Sequence, residues 1–141
     1  MKIKVLQQNL INNISNPSRG SKYSAGVDIY SPYFYLIKAG KTKKIVLGIA
    51  IEVNNNEVAI MSERSSQSKN GITSIGNIID ADYRGEISIV LQNNSNQDYT
   101  INQNDKIGQI IIVKLGDNSI KFVNELSETK RGAGGFGSTG K

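Results

Sequence analysis

Four short segments of this 141-residue chain gather residue types that can handle a phosphate ester or a nucleotide base. Ser62-Glu63-Arg64-Ser65-Ser66-Gln67-Ser68-Lys69 sets a guanidinium beside two hydroxyls at what reads as a helix start. There, hydroxyls, backbone N–H groups and guanidinium converge on an anion. An N-cap with a surface arginine fits the same letters. In Ile78-Ile79-Asp80-Ala81-Asp82-Tyr83-Arg84-Gly85-Glu86, Asp80 follows two isoleucines, at the edge of a core where a general base is held rigidly. Asp80 and Asp82 share a face if the segment is extended, and a hairpin turn with solvated acids suits it too. Ser24-Ala25-Gly26-Val27-Asp28-Ile29-Tyr30-Ser31 reads as a turn that carries one carboxylate. Finally, Arg131 to Gly140 holds five glycines, whose backbone N–H groups can approach phosphate oxygens. Arg131, Ser138 and Thr139 add donors and charge, and Phe136 can stack on a flat base.

The chain contains no cysteine and no histidine. Disulfide scaffolds, zinc sites, haem ligation and Ser-His-Asp or Cys-His nucleophiles are therefore excluded. Carboxylates, hydroxyls, amides, basic groups and backbone remain, with a hard metal brought by a substrate. Seventeen basic against twelve acidic residues give a net charge of +5, which favours anionic partners. The cluster Lys38, Lys41, Lys43 and Lys44 reads as a solvated loop or strand edge. No apolar run is long enough to span a membrane, and Met1-Lys2-Ile3-Lys4 leads into polar Gln7-Gln8-Asn9 rather than a signal sequence. The expected location is the cytoplasm, or the host cell interior for a viral product.

These groups need a scaffold to hold them. Ile3 to Leu6, Tyr33 to Ile37, Ile45 to Val53, Val58 to Met61, Ile87 to Gln92, Ile107 to Leu115 and Ile120 to Val123 read as strands, rich in β-branched residues. Asn54-Asn55-Asn56, Asn93-Asn94-Ser95-Asn96 and Gly116-Asp117-Asn118 read as turns between them. Only Ser65 to Asn70 suits a turn or two of helix. Many short strands predict an antiparallel sandwich or barrel. From Glu128 onward little can enter a core, and the segment reads as a mobile tail.

Taken in order, the segments resemble the five motifs of the trimeric dUTPase (deoxyuridine triphosphatase) family. Ala25 to Ser31 resembles the first, Arg64-Ser65-Ser66 the second and Ile79 to Gly85 the third. Asn104-Asp105-Lys106-Ile107-Gly108-Gln109-Ile110 is similar to the fourth and Arg131 to Gly140 to the fifth. The resemblance implies an all-β fold, a jelly-roll-like antiparallel β-barrel over residues 1–127, with a flexible glycine-rich arm at 128–141 acting as a lid. It implies a homotrimer that hydrolyses dUTP to dUMP and pyrophosphate with Mg²⁺, with no nucleic-acid or membrane partner.

By the same resemblance Asp80 activates the attacking water, and an ordinary aspartate is ionised for that at neutral pH. Tyr83 lies against the deoxyribose, Gly85 closes the same hairpin, and Ser74, Asn77, Ile78 and Ile79 belong to the base-reading hairpin. Arg64, Ser65, Ser66 and Gln109 hold the α- and β-phosphates. Arg131, Phe136, Gly137, Ser138 and Thr139 close over the base and γ-phosphate from a neighbouring subunit, and Asp28 meets the metal only through water. The chain departs from the family where Glu63 stands for a common Pro or Gly, and where Ser66, Asn77 and Asn104 replace frequent glycines.

Rival readings rest on particular residues. The related dCTP deaminases carry a glutamate where this chain has Val90, which cannot shuttle a proton. An RNA-binding module is suggested by Arg131-Gly132-Ala133-Gly134-Gly135-Phe136, yet such segments normally repeat and this one occurs once. A regulator that has lost its chemistry sits poorly with an intact Asp80 and Tyr83.

Overall fold

The computed structural model describes residues 1–7 and 14–135. The strands are β1 (Lys2–Val5), β2 (Gly26–Tyr30), β3 (Tyr35–Ile37), β4 (Thr42–Val46), β5 (Ile49–Glu52) and β6 (Glu57–Ser62). After a short helix α1 (Ser65–Lys69) come β7 (Ile72–Ile75), β8 (Ile78–Ile79), β9 (Ser88–Asn93), β10 (Tyr99–Ile101) and β11 (Lys106–Lys114). Every pairing between them is antiparallel.

Hydrogen-bonded ladders join these strands into separate sheets: β1–β5, β3–β10, β2–β11–β6–β8 and β4–β9–β7. The expected jelly-roll-like barrel is thus corrected. The fold is all-β, but among the described residues its sheets do not close on one another. Closure needs one ladder carried round with a fixed stagger, and here the ladder breaks at corners of the chain. The run Ile45 to Val53, expected as one strand, is cut at Leu47-Gly48, where Gly48 adopts φ +69°. That conformation suits glycine and turns the chain, so β4 stays with β9 while β5 pairs with β1. Single hydrogen bonds cross the gap, from Leu47 N–H to Ile87 O at 3.1 Å and from Ile87 N–H to Ile49 O at 2.9 Å.

Side chains do what the ladders do not. Ile29, Ile37, Ile45, Ile51, Ile72, Leu91 and Ile110, drawn from all four sheets, lie in one buried cluster. Burying each such side chain fully contributes about 1.5–3 kcal/mol. β9 shows the alternation that achieves this, with Ile89 and Leu91 buried and Ser88 and Val90 half-buried. Asn93 ends that strand inside the protein with every amide group matched. Its Nδ2 donates to Ile37 O (3.0 Å) and Gln97 O (2.7 Å), and its Oδ1 accepts from the Ser95 N–H (3.0 Å) and hydroxyl (2.7 Å). A buried amide so satisfied stabilises one loop conformation.

Two further expectations change. The Asp28 segment, expected as a turn, is strand β2, with Ile29 in the core. Ile120 to Val123, expected as a strand, pairs with nothing among the described residues, and Phe122 is wholly exposed. The predicted helical turn is present as α1.

Candidate active site

β11 lies between β2 and β6, and its Gln109 stands opposite Asp28 on one side and Ser62 on the other. Ser62 ends β6, so the chain leaves the sheet there and enters Glu63-Arg64-Ser65-Ser66. The register thus places an amide and a carboxylate beside the arginine and hydroxyls of the α1 entrance. Gln109 Nε2 donates to Glu63 O at 3.3 Å. The Asp28 carboxylate is 12% exposed and meets two cations: Lys106 Nζ donates to Oδ2 at 2.8 Å, and Arg64 Nε lies 3.3 Å from Oδ1. The hydrogen bond to Asp28 raises the Lys106 pKa above its ordinary value. Both cations remain partly exposed, so this corner offers positive charge to an anion while one carboxylate fixes its geometry.

Glu63 forms the other edge of that corner. Its Oε2 accepts from the Ser74 N–H (3.0 Å) and the Ser74 hydroxyl (2.5 Å), and its Oε1 from the Ser68 hydroxyl (3.3 Å). Its own N–H donates to Ser74 Oγ at 3.1 Å. These bonds, the Ser74 hydroxyl first, hold the Glu63 carboxyl below its usual pKa. Ser74 also accepts from Asn77 Nδ2 at 3.0 Å, across the turn between β7 and β8. The expected hairpin is corrected here: the two strands belong to different sheets, β7 pairing with β9 and β8 with β6.

Beyond the turn, β8 runs along β6 with Ile79 opposite Ala59. Ile79 packs on the core and Ile78 faces outward, 63% exposed. Asp80 follows directly, so a partly buried neighbour packed on the core anchors it at the surface. Its carboxylate makes no hydrogen bond or ion pair among the described residues, and its carbonyl accepts from the Tyr83 N–H at 3.2 Å. Arg84 Nη1 braces the same turn on Ala81 O at 2.6 Å. Tyr83 Oη donates to Glu86 O at 3.1 Å, and its ring lies over Gly85. Asp80 and Tyr83 share a shallow recess with Gly76, Ile78, Glu86 and Ser88.

The predicted site residues therefore fall into two groups. Asp28, Arg64, Ser65, Ser66 and Gln109 gather around the α1 entrance, while Ile78, Ile79, Asp80, Tyr83 and Gly85 lie on β8 and the turn after it. Glu63 with Ser74 and Asn77 stands between. Among the described residues, no hydrogen bond or ion pair joins Asp80 or Tyr83 to Arg64, Ser65, Ser66 or Gln109. Arg131 lies in an exposed turn, its Nε donating to Gly134 O at 2.8 Å. Phe136, Gly137, Ser138 and Thr139 lie outside the described residues.

Sequence reasoning assigned no role to Lys106, although it lies inside the fourth motif. Its signal was a lysine beside a strand start, but the partner Asp28 depends on a register that no local pattern reveals. Among the described residues, no three His, Cys, Asp or Glu side chains cluster as a metal cage. No helix there is long and apolar enough to cross a membrane.

The all-β scaffold thus sets a cationic, hydroxyl-bearing corner beside a recess whose carboxylate is unpaired among the described residues. Residues 12–140 match the sequence pattern of the dUTPase family. Over 144 aligned positions the chain is 41% identical to the deoxyuridine 5′-triphosphate nucleotidohydrolase of Nautilia profundicola, covering 100% of this chain and 99% of that one. It is 37% identical to the enzyme of the same name from Paramecium bursaria Chlorella virus 1, covering 96% and 97%. The fold is similar to that of the Staphylococcus bacteriophage 80alpha dUTPase solved with dUPNHPP, with a TM-score of 0.88 at 24% identity, covering 99% and 98%. The chain belongs to the dUTPase family.

Proposed function

We propose that this chain hydrolyses dUTP to dUMP and pyrophosphate, with Asp80 taking the proton of the attacking water. The observation that carries the assignment is the Asp80 carboxylate itself. It is exposed, without a hydrogen-bonded or ionic partner among the described residues, and anchored through Ile79 to the core. An unpaired carboxylate keeps its lone pairs free to accept a proton from a water. Arg64, Ser65, Ser66 and Gln109 bind the phosphates and stabilise charge that develops as the bond between the α- and β-phosphates breaks. Tyr83 packs on the deoxyribose, and the turn between β7 and β8 takes the base.

The family implies Mg²⁺, which supplies charge neutralisation on the triphosphate when bound. The donor set here fits an ion carried mainly by substrate phosphates rather than by a protein cage. Asp28 is the carboxylate of the phosphate corner, and the lone pairs not directed at Lys106 and Arg64 suit it to the ion's waters.

The reading extends to a homotrimer with shared sites and a C-terminal lid over residues 128–141. Two observations support it. Among the described residues, Asp80 and Tyr83 make no direct polar contact with Arg64, Ser65, Ser66 or Gln109 within one chain. Ile120, Phe122 and Leu126, on the way to the lid, are 83%, 100% and 87% exposed, as suits a segment that another subunit covers.

A nucleotide panel with Mg²⁺, scoring pyrophosphate and ammonia separately, tests the reaction. dUTP should yield dUMP and pyrophosphate, with dCTP, dTTP and UTP far slower. Ammonia from dCTP would mark a deaminase instead.

A further inference from the structure

Glu63 ties three parts of the site together through its place in the chain and its side chain. It follows the end of β6, it reaches Ser68 on α1, and it reaches Ser74 on β7. An ionised carboxylate can only accept, so it fixes the direction of every bond around it. The Ser74 hydroxyl hydrogen goes to Glu63 Oε2, which leaves Ser74 Oγ with lone pairs alone. Ser74 Oγ therefore accepts from both the Glu63 N–H and Asn77 Nδ2, and the Asn77 amide is oriented in turn. We propose that Glu63 is a positioning residue that locks the β7–β8 turn against the Arg64-Ser65-Ser66 loop and thereby sets how tightly and selectively the base is held.

The proposal rests on the dUTP reading above, because that reading makes the β7–β8 turn the seat of the base. Glu63 needs no contact with substrate to act this way. Hydrogen bonds to a charged acceptor are roughly twice as strong as neutral ones. Two donors of one residue converging on one oxygen hold the turn in a single setting. Without the carboxylate, the Ser74 N–H and hydroxyl lose their acceptor and Asn77 is free to turn. A loosened turn would still carry uracil, but with weaker binding and poorer rejection of cytosine.

The test compares the full-length wild type with Glu63→Ala, Glu63→Gln and Glu63→Asp. It reads kcat and KM for dUTP and dCTP together with amide exchange across residues 72–79. Glutamine keeps an oxygen for Ser74 and turns its NH₂ toward Ser68 Oγ, so it should restore function. Aspartate keeps the charge but shortens the reach. Losing a charged-acceptor network of this size should raise KM for dUTP about tenfold in the alanine and aspartate variants, with kcat within about threefold of wild type. The dUTP-to-dCTP ratio of kcat/KM should fall by about the same factor in both, and the Ser74 amide should exchange faster. Glu63→Gln should lie within about threefold of wild type.

If alanine fails to fold, the aspartate and glutamine pair decides alone. Unchanged KM and selectivity in Glu63→Asp, whatever its melting temperature, would overturn the proposal. So would a glutamine variant as impaired as aspartate. A wild type that leaves dUTP untouched would instead sink the reading on which the proposal rests, whereas an active wild type with unmoved variants would sink the proposal only.

Discussion

Gly85 lies so close beneath Tyr83 that a Cβ at position 85 would overlap the phenol ring at Cζ and Oη. The ring is held from above by its own hydrogen bond to Glu86 O. That place exists because residue 85 has no side chain. In Gly85→Ala the half-exposed ring must swing out. Stability should change little, but kcat/KM for dUTP should fall about tenfold or more if the ring packs on the sugar. Steady-state kinetics with a thermal melt check this. A fully active Gly85→Ala enzyme would remove Tyr83 from the sugar site.

Asp80→Asn keeps the size of the side chain and removes its basicity. Turnover should drop about 10²–10⁴-fold while dUTP still binds. Asp82→Asn, on an exposed turn position, should cost little. Single-turnover hydrolysis alongside nucleotide binding separates the two effects, and an active Asp80→Asn enzyme would place the base elsewhere.

The pair Lys106 and Asp28 predicts an alkaline signature. The lysine pKa is raised in the folded protein by Asp28. A group raised on folding contributes stability below its unfolded pKa of about 10.4 and loses it as pH rises through the folded value. Lys106→Met should therefore melt below wild type at neutral pH, and the difference should shrink at the alkaline end. A difference that stays constant up to strongly alkaline pH would refute the ion pair.

Glu63 predicts the opposite sign in acid. Its carboxyl is held below the usual value, mainly by Ser74. Its contribution is thus present above the unfolded pKa of about 4.3 and fades as pH falls through the lower folded value. The melting difference between wild type and Glu63→Gln should be flat from neutral pH down to about 5 and should narrow below about 4. Melting curves at stepped pH give the answer directly.

Truncation after Thr129 should leave the fold and the subunit assembly intact, since Lys130 to Gly135 add nothing to the core. Hydrolysis should mostly vanish if the lid reading is right. Refolding Asp80→Asn subunits together with truncated ones should then restore some activity, because a good base can meet a good lid across subunits. No recovery in proven mixed assemblies would place each lid on its own chain's site.

Local chemistry was legible in the sequence, and long-range register was not. Arg64-Ser65-Ser66 and Asp80 with Tyr83 stand out because their neighbours in sequence are their neighbours in space. Asp28 was read as a turn residue because Gly26 and Asp28 are turn formers. Pairing with β11 and burial of Ile29 overrode that preference. Ile120 to Val123 failed as a strand for the converse reason: β-branched residues favour a strand only where a partner edge exists. The break at Gly48 was invisible because Ile45 to Val53 is apolar on both sides of it. Whether strands close into a barrel depends on stagger between ladders, and short strand patterns carry no information about stagger.

Four sheets that meet through isoleucine side chains and a few lone backbone bonds have no separate claim to persist. Removing one strips the apolar cover from the other three. Partial melting is therefore disfavoured, and the body of the protein should come apart as a single cooperative unit. Damage far from the nucleotide, such as trimming Ile45 or Leu91, should then silence the enzyme by lowering the amount of folded protein rather than by slowing the molecules that remain.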